Sequence, residues 1–92
     1  MEVVRGQIVQ SRRGRDVTKT YVAIGREGTG ANERLLLCDG ERRTLSAPKR
    51  KNTLHLNPTG TVLPEETLET DLKIKMALKA YLKQTGQEQQ GG

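Results

Sequence analysis

A shortage of large apolar side chains is the feature that most constrains this fold. The chain of 92 residues contains no Phe and no Trp, and two Tyr are its only aromatic residues. Eleven Leu, three Ile and six Val make up about 22% of the chain, just above the level of about 20% below which highly charged chains stay disordered. The sequence therefore predicts one small domain with a compact aliphatic core.

Short apolar runs separated by turn residues fill the first 60 residues. They predict strands at residues 6–10, 21–24, 34–38, 41–45 and 53–56. We expect Asp39-Gly40 to form a two-residue hairpin turn, the glycine-containing segment 26–32 to form a hairpin loop, and residues 57–60 to form a turn. Five short strands with tight turns favour a small barrel, so the predicted fold class is mainly β.

A helical pattern follows in the last third of the chain. Apolar residues recur at the spacing of one helix face over residues 70–84, and Thr70 is a suitable N-cap. We expect this amphipathic helix to pack on the barrel of residues 1–60 and to bury Ile74, Leu78, Tyr81 and Leu82. Residues 61–69 are predicted to be a linker, and residues 85–92 a disordered tail.

The residue types that carry catalysis or bind metals are scarce. His55 and Cys38 are the single His and the single Cys, too few for a zinc site of several Cys or His ligands. Cys38 follows three leucines, which favours a place in the core over a role as nucleophile. No glycine-rich phosphate loop precedes a helix. We expect no enzyme activity, no cofactor and no metal site.

The chain has no apolar run of 18 residues and no signal-peptide pattern at its start. The helix lacks the bulky aromatic residues of an interfacial membrane helix. We expect a soluble, cytoplasmic monomer that does not bind membranes.

Clustered positive charge is the strongest functional signal. The net charge is +5; residues 1–60 carry +6 and residues 61–92 carry −1. The clusters are Arg12-Arg13-Gly14-Arg15, Arg42-Arg43 and Lys49-Arg50-Lys51-Asn52, the last predicted to be a loop that projects into solvent after Pro48. Solvated surface charge is the simple explanation, but this clustering favours a nucleic-acid backbone as ligand. The lack of aromatic residues argues against stacking on single strands and favours structured RNA.

A family resemblance adds to this interpretation. The sequence GQIVQSRRGRDVTKTYVAI, residues 6–24, resembles a KOW motif, which is a strand, a basic loop with a glycine and a second strand. The later LCDG, followed by Arg43, PKRKN and His55-Leu56, is similar to the small bacterial KOW-domain RNA-binding proteins. That family is similar to SH3-like-barrel proteins of archaeal and eukaryotic large ribosomal subunits. Thr18 departs from the motif, which usually has glycine before Lys19.

The resemblance covers residues 3–83. It implies an SH3-like barrel with a C-terminal helix that binds RNA, with ribosomal RNA or the ribosome as the expected partner. The predicted RNA-binding residues are Ser11, Arg12, Arg13, Gly14, Arg15, Lys19, Arg42, Arg43, Lys49, Arg50, Lys51, Asn52 and His55. Asp16 is expected to orient Arg15 or the turn, and a purely structural role for His55 stays open.

The alternative function is a protein-interaction module that docks on ribosomal or transcription-machinery proteins. KOW and SH3-like barrels also serve in this way. Salt dependence distinguishes the two functions, because phosphate binding weakens steeply with salt whereas an apolar contact hardly changes.

Overall fold

The computed structural model describes residues 3–11 and 19–85. Within these residues the strands are β1 (Gln7–Ser11), β2 (Thr20–Glu27), β3 (Arg34–Cys38), β4 (Lys49–Lys51) and β5 (Leu56–Val62), and the helix is α1 (Asp71–Thr85). Short 3₁₀-helices span Gly30–Asn32, Thr53–His55 and Glu65–Glu69. The protein is mainly β with one C-terminal helix, as the sequence predicts.

The five strands form one sheet in the order β4-β3-β2-β1-β5. Every neighbouring pair is antiparallel, and β1 pairs with both β2 and β5. Register shifts interrupt β1 between Gln7 and Val9 and β2 between Ala23 and Gly25. Such irregularities bend a sheet and increase its twist, so the architecture is consistent with a small barrel-like fold.

Both faces of the sheet are covered by apolar side chains. One core cluster contains Val3, Val9, Tyr21, Ala23, Leu35, Leu37 and Leu56. The other lies against the helix and contains Ile8, Val22, Cys38, Leu68, Ile74 and Leu78. Because neighbouring strand residues point to opposite faces, Leu37 and Cys38 belong to different clusters. Strand β3 is an interior strand of the sheet, and its side chains are buried on both faces.

Helix α1 begins where the sequence predicts. The Thr70 hydroxyl accepts a hydrogen bond from the backbone N–H of Lys73 at 3.2 Å, as an N-cap should. Ile74 and Leu78 are buried as expected. Tyr81 and Leu82 are only half-buried, because Tyr81 packs at the margin of the core cluster and Leu82 lines an open pocket.

The predicted fourth strand at residues 41–45 is wrong. Those residues form bends and an isolated bridge between Thr44 and Ala47, and the fourth strand lies at Lys49–Lys51. The cause is Asp39, whose carboxylate accepts backbone N–H bonds from residues 41–43 and curls the chain. Asp39-Gly40 is therefore not a two-residue hairpin turn.

The predicted fifth strand and the turn after it are also misplaced. Thr53–His55 is a 3₁₀-helix, and residues 57–60 lie inside β5. Pro58 pairs with Val9 of β1, and proline is tolerated there because β5 is an edge strand. Pairing with β1 thus overrides the local turn signal of Asn-Pro-Thr-Gly.

Residues 61–69, predicted to be a linker, complete β5 and form the 3₁₀-helix Glu65–Glu69. Leu68 in that helix is buried under α1. Residues 86–92, which include most of the predicted tail, lie outside the described residues. In the part of the chain that the structure describes, no helix is long and apolar enough to cross a membrane.

Candidate nucleic-acid interface

The strand pairing shows at which end of the sheet each described cationic residue lies. Gln10 of β1 pairs with Thr20, and Leu37 of β3 pairs with Lys49. The segment 39–48 joins β3 to β4 at this end. We name it the basic end and define it by the described cations Lys19, Arg42, Arg43 and Lys49. The opposite end, where β2 ends and β3 begins, is named the paired end. It contains Arg5, Arg26 and Arg34, and we include Arg50 because it contacts Glu27.

A side chain fixes the turn that carries Arg42 and Arg43. Asp39 Oδ1 accepts the backbone N–H of Glu41 at 2.8 Å and those of Arg42 and Arg43 at 2.9 Å each. In return, the Arg43 carbonyl accepts the N–H of Asp39 at 2.9 Å and that of Gly40 at 3.1 Å. We name residues 39–43 the arginine turn. Its backbone is held from both sides, while both arginine side chains are exposed.

Helix α1 holds the arginine turn in place. Gly40 has a φ of +79°, and a Cβ there would lie 2.3 Å from the carbonyl oxygen of Asp71. Glycine is needed at this close approach because any side chain would overlap the helix backbone. The Asp71 carboxylate also accepts the N–H of Leu45 at 2.8 Å, and Lys75 Nζ lies 3.8 Å from Glu41. The first turns of α1 thus position the arginine turn.

The exposed cations of the basic end have no acidic partner in the described chain. Within residues 3–11 and 19–85, no carboxylate oxygen lies within 4 Å of the side-chain nitrogens of Lys19, Arg42 or Arg43. The one carboxylate inside the turn, Asp39, is bonded to backbone N–H groups instead. No described carboxylate neutralises these side chains, so they are available to an anion.

The paired end differs in this respect. Its ion pairs are Arg5–Glu65 at 2.8 Å, Arg26–Glu33 at 2.6 Å and Arg50–Glu27 at 2.7 Å. Arg5 and Arg26 also donate to the backbone carbonyls of Ile24 and Val3. Arg34 is the exception, since it donates to the carbonyl of Asn32 at 3.3 Å. Three of these four arginines are therefore neutralised within the fold.

The cluster Lys49-Arg50-Lys51 is a strand, so the prediction of a loop projecting into solvent is wrong. Lys49 and Lys51 pair with Leu37 and Leu35 and share their face of the sheet. Arg50 points to the opposite face. A run of three cations has no apolar alternation that would predict a strand, and only the pairing with β3 makes it one.

Lys49 and Arg50 already have contacts within the fold. Lys49 Nζ lies 5.8 Å from the centre of the Tyr21 ring, within the range of a cation–π contact. Arg50 is paired with Glu27. The cluster therefore presents no single cationic surface, and Arg50 belongs to the paired end.

Three other predicted RNA-binding residues lie in or beside secondary-structure elements that constrain their side chains. Ser11 is buried, and its hydroxyl has no hydrogen-bond partner among the described residues. Its contact with RNA stays a prediction. Asn52 caps the Thr53–His55 helix by accepting the N–H of Leu54 at 2.8 Å. His55 is half-buried in that helix.

The first basic cluster lies outside the described residues. It comprises Arg12, Arg13, Gly14 and Arg15, with Asp16 beside it. The residues that flank this cluster meet at the basic end, where the Ser11 N–H donates to the Lys19 carbonyl at 3.0 Å. The described residues on both sides of this cluster therefore lie at the same end of the sheet.

The residues that shape the arginine turn do not stand out in the sequence. Asp39-Gly40 predicts a hairpin turn, and Asp71 is one residue of the predicted helix. The sequence does offer one signal. An Asp directly before a Gly is also typical of turns in which the Asp carboxylate accepts hydrogen bonds from the backbone N–H groups of the residues that follow. No local signal could have shown that α1 packs against Gly40, because 31 residues separate Gly40 from Asp71.

Cys38 lies at the base of this turn and is buried, as predicted. Burial raises the pKa of its thiol to about 12, and the nearby carboxylates of Asp71 and Asp39 add to the effect. The thiol therefore stays protonated at neutral pH.

No protein family model matches this chain, and no curated protein matches it significantly. The likeness to KOW-domain proteins thus depends on the sequence motifs alone.

Proposed function

We propose that this protein binds structured RNA through the basic end of its sheet. The observation that carries the proposal is the difference between the two ends. Arg42 and Arg43 are exposed and have no carboxylate partner among the described residues, on a turn fixed by Asp39, whereas three arginines of the paired end are neutralised. Simple solvation would not require two neighbouring arginines on an ordered turn to lack a carboxylate partner among the described residues.

The arginine turn suits phosphate binding. A guanidinium group can donate two parallel hydrogen bonds to one phosphate. Because the backbone of the turn is already ordered by Asp39 and by α1, binding would have to order only the side chains. Lys19 lies at the same end and adds a further exposed positive charge.

The two tyrosines support structured RNA as the ligand. They are the only aromatic residues in the chain. Tyr21 is 3% exposed in the core, and Tyr81 packs against the other cluster. The ring of Tyr21 is buried and that of Tyr81 is half-buried against the core, so neither is fully exposed for base stacking, on which binding of unpaired strands depends. Contacts to phosphates and to the shape of a folded RNA remain.

Ribosomal RNA is proposed as the target because of the resemblance to KOW-domain proteins. This target would place the protein in the cytoplasm.

Ultraviolet crosslinking in cells, followed by sequencing of the bound RNA, tests the proposal. We expect reads concentrated on a few structured segments of ribosomal RNA. The variant Arg42→Glu/Arg43→Glu should lose most of them, and the control Arg34→Glu should keep them. Equal recovery from both variants, or no enriched RNA, would contradict the proposal.

A further inference from the structure

The side of α1 that faces away from the sheet carries a second pattern. Its residues are Leu72, Met76, Lys79, Ala80 and Lys83, which are all exposed. Their spacing of four, seven, eight and eleven residues from the first places them on one side of a helix. We name this surface the outer helix face. Ile74 and Leu78 on the opposite side hold α1 to the sheet.

Two large apolar side chains lie one turn apart on the outer helix face. Leu72 is 65% exposed and Met76 is 61% exposed, against 5% for the inward Leu78. Single exposed apolar residues are common on protein surfaces. A pair at one-turn spacing lies on one side of a helix, and this is the spacing of the apolar anchors in helix-in-groove binding.

The outer helix face has positive charge and no acidic residue. Asp71 is the only carboxylate in α1, and it is bonded to the N–H of Leu45. In the described parts of the chain, no carboxylate lies within 4 Å of the ammonium groups of Lys79 or Lys83. The face is thus apolar in its N-terminal half and basic in its C-terminal half.

We propose that the outer helix face docks an acidic amphipathic helix of a partner protein. The partner's apolar side chains would cover Leu72 and Met76, and its carboxylates would pair with Lys79 and Lys83. The distance from residue 72 to residue 83 is about 16 Å at 1.5 Å per residue, which matches about three helical turns of the partner. Lys79 lines a pocket together with Asp39 and Glu41 of the arginine turn, so the tests below measure RNA binding separately.

The charge pattern disfavours other occupants. In a pair of antiparallel copies, Leu72 and Met76 would face lysines, and in a parallel pair lysine would face lysine. RNA offers phosphates to Lys79 and Lys83 but no apolar side chain to cover Leu72. A membrane surface needs a larger apolar face with aromatic anchors. An acidic amphipathic helix offers apolar side chains to the N-terminal half of the face and carboxylates to the C-terminal half.

A photo-crosslinking amino acid placed at Met76 of the full chain, in cells, tests the proposal. We expect crosslinks to a protein segment that is acidic and amphipathic, and the same group placed at the exposed Leu54 as a control should not capture it. Leu72→Asp should lower the crosslink yield about tenfold, as loss of a central apolar contact does. Crosslinks only to RNA, lipid or a second copy, or no crosslink, would overturn the proposal.

A charge swap provides the second measurement. The probe is a synthetic helical peptide of about four turns with leucines one turn apart followed by glutamates. The wild-type chain should bind it about tenfold more tightly than the same peptide with lysines in place of glutamates, and Lys79→Glu/Lys83→Glu should reverse this preference. That variant should keep its melting temperature and its affinity for structured RNA, so the result is independent of the function proposed above. An unchanged peptide preference would overturn the proposal.

Discussion

The two ends of the sheet use the same residue types in different ways. At the paired end, Glu27, Glu33 and Glu65 bind arginine side chains. At the basic end, Asp39 binds backbone N–H groups, and no described carboxylate neutralises Arg42 or Arg43. The difference shows that the number of cations does not locate an anion-binding surface. What the carboxylates bind decides where positive charge stays available.

The largest expected effect concerns Cys38, which lies beneath the arginine turn. A pKa raised from 9.0 to about 12 lowers the thiolate fraction about a thousandfold, so labelling of the folded protein at pH 8 should be slower by about that factor than labelling of the unfolded chain. The measurement is the rate of reaction with a thiol reagent. Rapid labelling under native conditions would show that the basic end is open.

The same pKa shift predicts a dependence of stability on pH. The unfolded thiol loses its proton near pH 9 while the folded thiol keeps it, so the unfolded state binds fewer protons above pH 9. Stability should fall between pH 9 and about 12 more steeply in the wild type than in Cys38→Ala. Equal slopes in denaturant titrations of the two proteins would refute this expectation.

Two glycines provide the next comparison. Gly40 and Gly30 both have positive φ, but a Cβ at Gly40 would overlap the backbone of α1, whereas nothing lies within 4 Å of one at Gly30. Gly40→Ala should lower the free energy of unfolding by about 3 kcal/mol, and Gly30→Ala by about 1 kcal/mol. Similar losses in urea titrations would mean that α1 does not press on the arginine turn.

A smaller difference should separate the carboxylates of the two ends. Asp39→Ala removes a charged acceptor from three backbone N–H groups and should cost about 2 kcal/mol. Glu33→Ala removes one partly exposed ion pair and should cost less than about 1 kcal/mol. Denaturant titration measures both losses, and Asp39→Ala should also accelerate labelling of Cys38. If Glu33→Ala were the more damaging change, the assigned role of Asp39 would be wrong.

The smallest effect belongs to the ion pairs of the paired end. In a double-mutant cycle with Arg26→Gln and Glu33→Gln, the coupling energy should be about 0.2–1 kcal/mol and should decrease with added salt. The unfolding free energies of the four proteins supply the value. A larger, salt-independent coupling would mean that this end is built for stability rather than merely neutralised.

Much of the fold follows from local pattern. Apolar runs identify β1, β2 and β3, and the spacing of Ile74 and Leu78 identifies α1. The other two strands do not follow from it, because Lys49–Lys51 has no apolar alternation and residues 57–60 carry a strong turn signal. Both become strands only through pairing with β3 and β1.

The residues of the candidate site likewise divide into those that the sequence pattern identifies and those whose role depends on the folded chain. Arg42 and Arg43 stand out as a charge cluster in the sequence. That Arg50 is neutralised could not be inferred, because its partner Glu27 is 23 residues away and meets it only in the folded chain. The burial of Ser11 likewise depends on the pairing of β1 with β5.

The central claim is that the exposed arginines of the arginine turn, and not the net charge of the protein, bind RNA. The direct measurement is the salt dependence of affinity for a structured RNA in two variants that each change the net charge by the same amount. Arg42→Gln/Arg43→Gln should weaken binding and make the slope of log K against log salt concentration shallower by about 1.4–1.8, as expected for two lost phosphate contacts. Arg50→Glu, which replaces an arginine that Glu27 neutralises at the paired end, should leave both the affinity and the slope nearly unchanged. Equal losses in the two variants would contradict the account.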